Sequence, residues 1–246
     1  MEERPDLPEG IEHLQIPYYY SSVPTICRFA LSNKRIRCLS GPIGSGKTSG
    51  CIIEIVRRGF LQSPDKNGVR RTRWIVVNSD YRQMRDTTIR TFHDWFPPKI
   101  FGKWDASKSI YYITNMPNIH IEVWFRSCEG YSLKGLLPTI ETTGAWINNV
   151  EQVEKETIFD LDSLIGRYPS QRDGGPSWYG MIMDSYFGRE KDSYLNLVED
   201  SDNCEIFYQP SGLADNAENL VNLPLDFYQL LSRNKTDEFL KNYITG

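Results

Sequence analysis

Residues Lys34 to Ser40 alternate with period two, Ile36, Cys38 and Ser40 on one side and Arg35, Arg37 and Leu39 on the other, which predicts a strand. A glycine-rich octapeptide follows, and then Ile52, Ile53, Ile55 and Val56 at helical spacing. A basic polar loop, Gln62 to Arg71, leads to a second strand over Arg73 to Asn78, and Tyr81, Met84, Ile89 and Phe92 mark a helix that stops at Pro97-Pro98. Ile110 to Thr114 and Ile119 to Phe125 flank the turn Asn115-Met116-Pro117-Asn118 and read as a hairpin. Beyond a long polar segment the pattern predicts a strand over Thr143 to Asn148 and an amphipathic helix from Glu151 to about Ile165. A strand over Tyr179 to Ser185, a helix near Lys191 to Val198, a strand over Cys204 to Gln209 and two further helices complete the series.

Strands that alternate with helices require right-handed crossovers, so the expected fold is α/β, a mainly parallel, doubly wound sheet with helices on both faces. The Pro- and Tyr-rich first 33 residues read as an N-terminal arm ending in a short helix over Ser22 to Ser32, and residues 34 to 246 as the core of one domain. No repeat, low-complexity tract or linker divides it.

Composition narrows the function classes. Hydrophobic residues make up 39%, charged residues 24% and aromatics 13%, which excludes disorder as the default state. No stretch approaches about 18 consecutive apolar residues, and the acidic, Pro-rich start is not a secretory signal, so a soluble intracellular protein with no membrane partner is expected. The net charge of −4 excludes a protein that coats nucleic acid; any DNA contact must come from a local patch. Cys27, Cys38, Cys51, Cys128 and Cys204 have neither metal-ligand spacing nor an even count, and read as small buried hydrophobes.

Gly41-Pro42-Ile43-Gly44-Ser45-Gly46-Lys47-Thr48 fits the pattern GxxxxGK[ST] and lies between a predicted strand and a predicted helix, the context a phosphate-binding loop requires. Its glycines let successive backbone N–H groups converge on phosphate oxygens at a helix N-terminus. Ser49 follows in the same turn, Lys47 would reach the β- and γ-phosphates, and Thr48 would place its hydroxyl on Mg²⁺. ATP and Mg²⁺ are therefore the expected cofactors. Hydrolysis needs further acidic groups, which normally stand at the end of a neighbouring strand. The strand Ala145-Trp146-Ile147 instead runs into Asn148-Asn149-Val150-Glu151. Asn148 can still accept from a metal-bound water, whereas Asn149 cannot act as a base. Glu151 is the nearest carboxylate, either a replacement base or a first-turn acid that favours a helix N-terminus.

With these residues in place, the chain resembles the ATPase domain of large terminase subunits, the motors of tailed-phage DNA packaging. The resemblance covers nearly all 246 residues and rests on KRIRCLSGPIGSGKTSG, Gly68 to Pro97, ETTGAWINNVEQV, Gly166 to Ser185 and Gln209 to Tyr228. It implies a P-loop NTPase fold and a homo-oligomeric ring acting on double-stranded DNA with a small terminase subunit and a portal, in the cytoplasm of an infected host cell. Lys47 and Thr48 then look like the intact phosphate and magnesium residues. Lys134 stands where related motors place an arginine that reaches a neighbouring subunit's nucleotide, with Arg126 second in line; a lysine keeps the charge but loses the bidentate fork. Asn148 matches a position that is Asp or Asn in the family, and Asn149 stands where its catalytic Glu is expected. Ser185 falls on the coupling motif that senses the γ-phosphate, while Tyr186 and Asn78 depart from the family. Tyr18 to Tyr20 fall on an adenine-binding segment. No two-metal carboxylate cluster can be assigned, so nuclease activity is not expected of this chain. The departures keep a second reading open, a nucleotide-binding but catalytically impaired homologue with a structural or regulatory role. Arg70 to Trp74, Arg90 to Trp95 and Arg167-Tyr168 are candidates for a DNA-tracking surface.

Overall fold

A computed structural model describes residues 18–128, 140–187 and 202–246. The strands are β1 (Ile36–Ser40), β2 (Arg70–Asn78), β3 (Gly102–Asp105), β4 (Ile110–Ile113), β5 (Ile119–Ser127), β6 (Gly144–Asn148), β7 (Gly180–Ser185) and β8 (Cys204–Tyr208). They form one sheet in the order β3-β4-β5-β2-β6-β7-β1-β8. All neighbours are parallel except β3 with β4 and β4 with β5, which are antiparallel.

Side chains alternate across the central strands, and each parity feeds its own apolar layer. Leu39, Trp74, Val76, Trp146 and Ile182 face one side, where α1 (Pro24–Leu31) and α2 (Lys47–Leu61) pack. Cys38, Ile75, Val77, Ala145, Ile147, Met181 and Met183 face the other and meet Ile158 and Leu161. Neither face of the central strands is open to water, so their sequences read as nearly continuous apolar runs. The alternation foreseen in β1 is present, but all five of its residues are buried. No helix among the described residues is long and apolar enough to cross a membrane.

The structure departs from the periodicity at four places. Strand β2 begins at Arg70, inside the expected basic loop, because Arg71 and Arg73 are neutralised by Asp65 and Glu122 and Thr72 between them can be buried. β3 carries no alternating apolar signal; its residues are half-buried or exposed on an edge strand. The predicted helix from Tyr81 is α3 (Tyr81–Met84), a π turn over Arg85–Ile89 and α4 (Arg90–Trp95), with a short α5 (Pro98–Phe101) after it. The helix expected from Glu151 begins later: Asn149 sits at φ 57°, ψ 64°, a 3₁₀ turn covers Val150–Gln152, Val153 is extended, and α6 spans Lys155–Asp162. The helix expected near Lys191 to Val198 lies outside the described residues.

One charged cluster ties the phosphate-loop elements together. Glu54 on α2 is fully buried and accepts from Arg37 of β1 (2.7 Å), Arg57 (2.7 Å) and Arg58 (2.7 Å). The same guanidinium groups donate to carbonyls at the end of α1: Arg37 to Phe29 and Ser32, Arg57 to Ala30, and Arg58 to Ser32. Those carbonyls lack intrahelical partners and carry the negative end of the helix dipole. Burial alone raises the Glu54 carboxyl, but Arg37, Arg57 and Arg58 outweigh it and hold the carboxyl well below the usual carboxylate range.

Replacing Glu54 by Gln strands buried cations and costs about 3–5 kcal/mol in urea unfolding. The folded pKa lies below the unfolded value of about 4.3, so the Glu54 contribution is fully present above about pH 5 and is lost as pH falls. In Glu54→Gln that part of the acid decline disappears.

Candidate functional site

The loop between β1 and α2 turns through Gly44 (φ 79°) and Gly46 (φ 87°), left-handed conformations that a side chain strains. α2 begins directly at Lys47, so its first N–H groups, free of intrahelical partners, open toward the loop. The Lys47 ammonium donates to the carbonyls of Gly41 (2.8 Å) and Pro42 (2.8 Å) and reaches Ser45 Oγ at 3.5 Å. The Tyr186 ring lies 4.6 Å from its Nζ. Burial pushes Lys47 down to about 8, opposed by the negative charge of Asp184 and Glu151.

A bracing layer beneath the loop comes from the C-terminal region, to which sequence reasoning gave no role. Gln209 Nε2 donates to the Ser45 carbonyl (3.0 Å) and to Glu218 Oε2 (3.0 Å). The Ser45 hydroxyl lies 2.7 Å from Gln209 Oε1 and 2.8 Å from the Pro42 carbonyl and shares one proton between them. Glu218 in turn accepts from the Thr25 backbone N–H (2.9 Å). Asn219 donates to the Gly44 carbonyl (2.7 Å), Tyr228 to the Ile43 carbonyl (2.8 Å), and the Ile43 N–H to the Tyr243 carbonyl (2.9 Å). A Cβ on Gly41 would lie 2.4 Å from Gln209 Oε1, so this glycine is required by close approach. The signal was present in the amide-rich run Gln209 to Asn222, but amides also read as turn residues.

At the carboxyl ends of the strands the alternation that builds the apolar layer delivers polar side chains. Asn78, Asn148 and Asp184 follow Val76, Trp146 and Ile182 on the α2 side. Asn148 Oδ1 accepts from Thr88 (2.6 Å), which the π turn carries, and from Asn78 (3.0 Å). Its amide nitrogen donates to both Asp184 oxygens (3.1 and 3.0 Å), and Trp146 Nε1 donates to Oδ1 (2.8 Å). Burial raises the Asp184 carboxyl, while Asn148, Trp146, Lys47 and the Asn149 backbone N–H favour its charged form.

Gly44 to Ser49, Thr91, Asn149, Asp184, Tyr186 and Asn219 enclose a cavity of about 280 Å³. A larger cleft of about 570 Å³ lies at the β8 edge beside α1, remote from the phosphate loop. Thr48 and Asn149 thus reach the cavity that Lys47 serves, and Asn148 stands behind Asp184. Ser185 has the opposite parity: its Oγ is buried with no hydrogen-bond partner among the described residues, and its carbonyl accepts from the Gly41 N–H (3.2 Å). Glu151 is exposed as a residue and is not among the residues that enclose the cavity; burial pushes its carboxyl up to about 7, the negative charge of Asp184 adds to this, and Lys47 and the Tyr186 backbone N–H oppose it.

Lys134 lies outside the described residues. Arg126, at the end of β5, donates to the Lys108 carbonyl (2.9 Å), flanks Trp124 and is not at the cavity. Tyr19 is exposed, Tyr20 is buried, and Tyr18 meets Trp95, whose Nε1 donates to Ser49 Oγ (2.9 Å). Of the basic segments, Arg71, Arg73 and Arg167 pair with Asp65, Glu122 and Glu141, whereas Arg90 is exposed, as is Arg82 outside those segments on the same helix from Tyr81. The described residues contain no group of three or more His, Cys, Asp or Glu able to hold a metal ion.

No family model and no curated protein matches the sequence. Solved structures do match the fold. The large terminase of the thermophilic bacteriophage D6E superposes with a TM-score of 0.66 at 13% identity, over 99% of this chain and 53% of that one. The large terminase ATPase domain of Thermus phage P74-26 gives 0.56 at 12% identity, over 95% of each chain. The HK97 bacteriophage large terminase gives 0.55 at 12%, over 96% of this chain and 50% of that one. The D6E protein has been solved with ADP and with ATP-gamma-S. The chain therefore spans about half the length of the D6E and HK97 proteins and has the α/β fold of a phage large-terminase ATPase domain.

Gln209→Ala leaves the Ser45 carbonyl and one Glu218 oxygen without a buried donor and costs about 1–3 kcal/mol in chemical denaturation. The same variant should speed amide hydrogen exchange across residues 41–46, because the loop loses its floor.

Proposed function

We propose that this chain is the ATP-driven motor domain of a terminase-like DNA-packaging machine, binding ATP in the cavity under Lys47. The observation that carries this reading is the phosphate loop, strung between β1 and α2 with two left-handed glycines and its lysine at the cavity wall. Lys47 exchanges its contacts with the loop carbonyls for phosphate oxygens, and the open N–H groups of α2 add the helix dipole. The lining fits a hard cation, since it carries hydroxyls and a carboxylate and neither thiol nor imidazole. Thr48 would hold Mg²⁺, which when bound neutralises charge developing on the phosphates.

Glu151 is the candidate for orienting and deprotonating the attacking water in place of Asn149. A carboxyl near pKa 7 is half ionised at neutral pH and well matched to a proton that must be taken and returned. Asn149, held at a left-handed corner of the cavity wall, contributes hydrogen bonds but no proton chemistry. That residue favours the second reading, a nucleotide-binding subunit with little turnover. The further parts of the first reading are an action on double-stranded DNA through exposed cations such as Arg82 and Arg90, a homo-oligomeric ring completed by Lys134 or Arg126, and a small terminase subunit and portal in the infected host's cytoplasm. They are supported by the fold likeness.

Steady-state Mg²⁺-ATPase measurements with and without DNA separate the two readings. Under the motor reading Lys47→Ala abolishes turnover, and the wild-type rate rises with pH through about 7 as Glu151 loses its proton. Glu151→Gln lowers kcat by about 10²-fold or more and flattens that rise. A wild-type protein that binds ATP yet turns over negligibly, and gains activity on Asn149→Glu, establishes the second reading instead.

A further inference from the structure

An acid close to the Thr48 hydroxyl is needed to fix the cation of a bound nucleotide, and the end of β6 offers only amides there. The adjacent strand supplies one. β7 lies between β6 and β1, so its end is nearer the phosphate loop than the end of β6, and its alternation points Asp184 toward α2 while Ser185 points away. Asp184 is 1% exposed and lines the same cavity as Lys47 and Thr48.

Its surroundings are built around a fixed carboxylate. Trp146 Nε1, the Asn148 amide and the Asn149 backbone N–H all point at it. Thr88 and Asn78 occupy the Asn148 oxygen, which forces the amide nitrogen to face Asp184. Asn148 is thereby a positioning residue, and the π turn that presents Thr88 is part of the same device. A carboxylate with four acceptor sites is not exhausted by these donors, and its remaining capacity belongs to the cavity.

We propose that Asp184 is the acid that fixes the divalent cation of the bound nucleotide in this chain, the role that Asn148 cannot fill because its oxygen is turned to Thr88 and Asn78. The assignment rests on the nucleotide-binding reading above. A buried aspartate beside a buried lysine also serves as a countercharge, and the experiment separates the two roles.

ADP affinity is measured by calorimetry with and without Mg²⁺, and Mn²⁺ binding to the ADP complex by electron paramagnetic resonance. In the wild type Mg²⁺ tightens ADP binding. In Asp184→Asn that enhancement falls by about tenfold or more and the Mn²⁺ affinity falls with it, while metal-free ADP binds as well or better because a negative charge beside the phosphates is gone. Thr88→Val, which removes one of the two donors to the Asn148 oxygen without touching the carboxylate, shifts the metal dependence the same way by a smaller factor and stands in if Asp184→Asn does not fold. An unchanged Mg²⁺ enhancement in both variants overturns the assignment and leaves Asp184 a countercharge. Equal losses with and without metal overturn it in favour of a purely structural role. Failure of the wild-type protein to bind ADP at all refutes the nucleotide reading itself, and the assignment falls with it.

Discussion

Glu54 is the residue on which the phosphate loop depends, although it lies two turns of helix away. A buried carboxylate among three guanidinium groups is expensive to desolvate, and its geometry is correspondingly exacting. Each arginine spends one part of its fork on Glu54 and another on a carbonyl at the end of α1. Trp178 and Phe29 lie against the guanidinium planes, with Arg58 4.1 Å from the Trp178 ring and Arg37 4.7 Å from that of Phe29. α1, β1 and α2 are thus locked by one charge, and the loop is suspended between two of the locked elements. Its glycines supply freedom only locally; the positions of its two ends are fixed.

Much of this was legible in the sequence where a single physical rule acts. Alternation located β1, short apolar runs located β6 and β7, and the octapeptide at Gly41 to Thr48 located the loop. Where two rules compete, legibility fails. Arg70 and Arg71 read as loop because charge normally avoids a strand, and the strand extends back over them because Arg71 finds Asp65 and Arg73 finds Glu122, a partner far away in sequence. The break after Asn149 is invisible to periodicity, since the apolar positions Val153, Ile158 and Leu161 suit a continuous helix. Gln209 and Asn219 look like turn residues until the loop they support is seen.

At Asp184 the motif and the pleat of the strand point to different neighbours. In the string Met183-Asp184-Ser185, the family resemblance points to Ser185, whereas the pleat of β7 puts Asp184 at the cavity and Ser185 on the opposite side. Parity is as strong a constraint as motif membership. The amide pair at Asn148-Asn149 also changes meaning in the structure: one amide orients a carboxylate on the next strand and the other turns the chain out of the sheet.

The floor of the phosphate loop is built from Gln209, Asn219, Tyr228 and Tyr243, so contacts that define an element near residue 45 span 164 to 200 positions along the chain. Closing loops of that length is slow relative to forming local helices and hairpins. On the ribosome, β1, the loop and α2 emerge long before their floor exists. The loop therefore reaches its final geometry late, once residues 209 to 243 have docked beneath it, and a chain synthesised only through α2 lacks that floor.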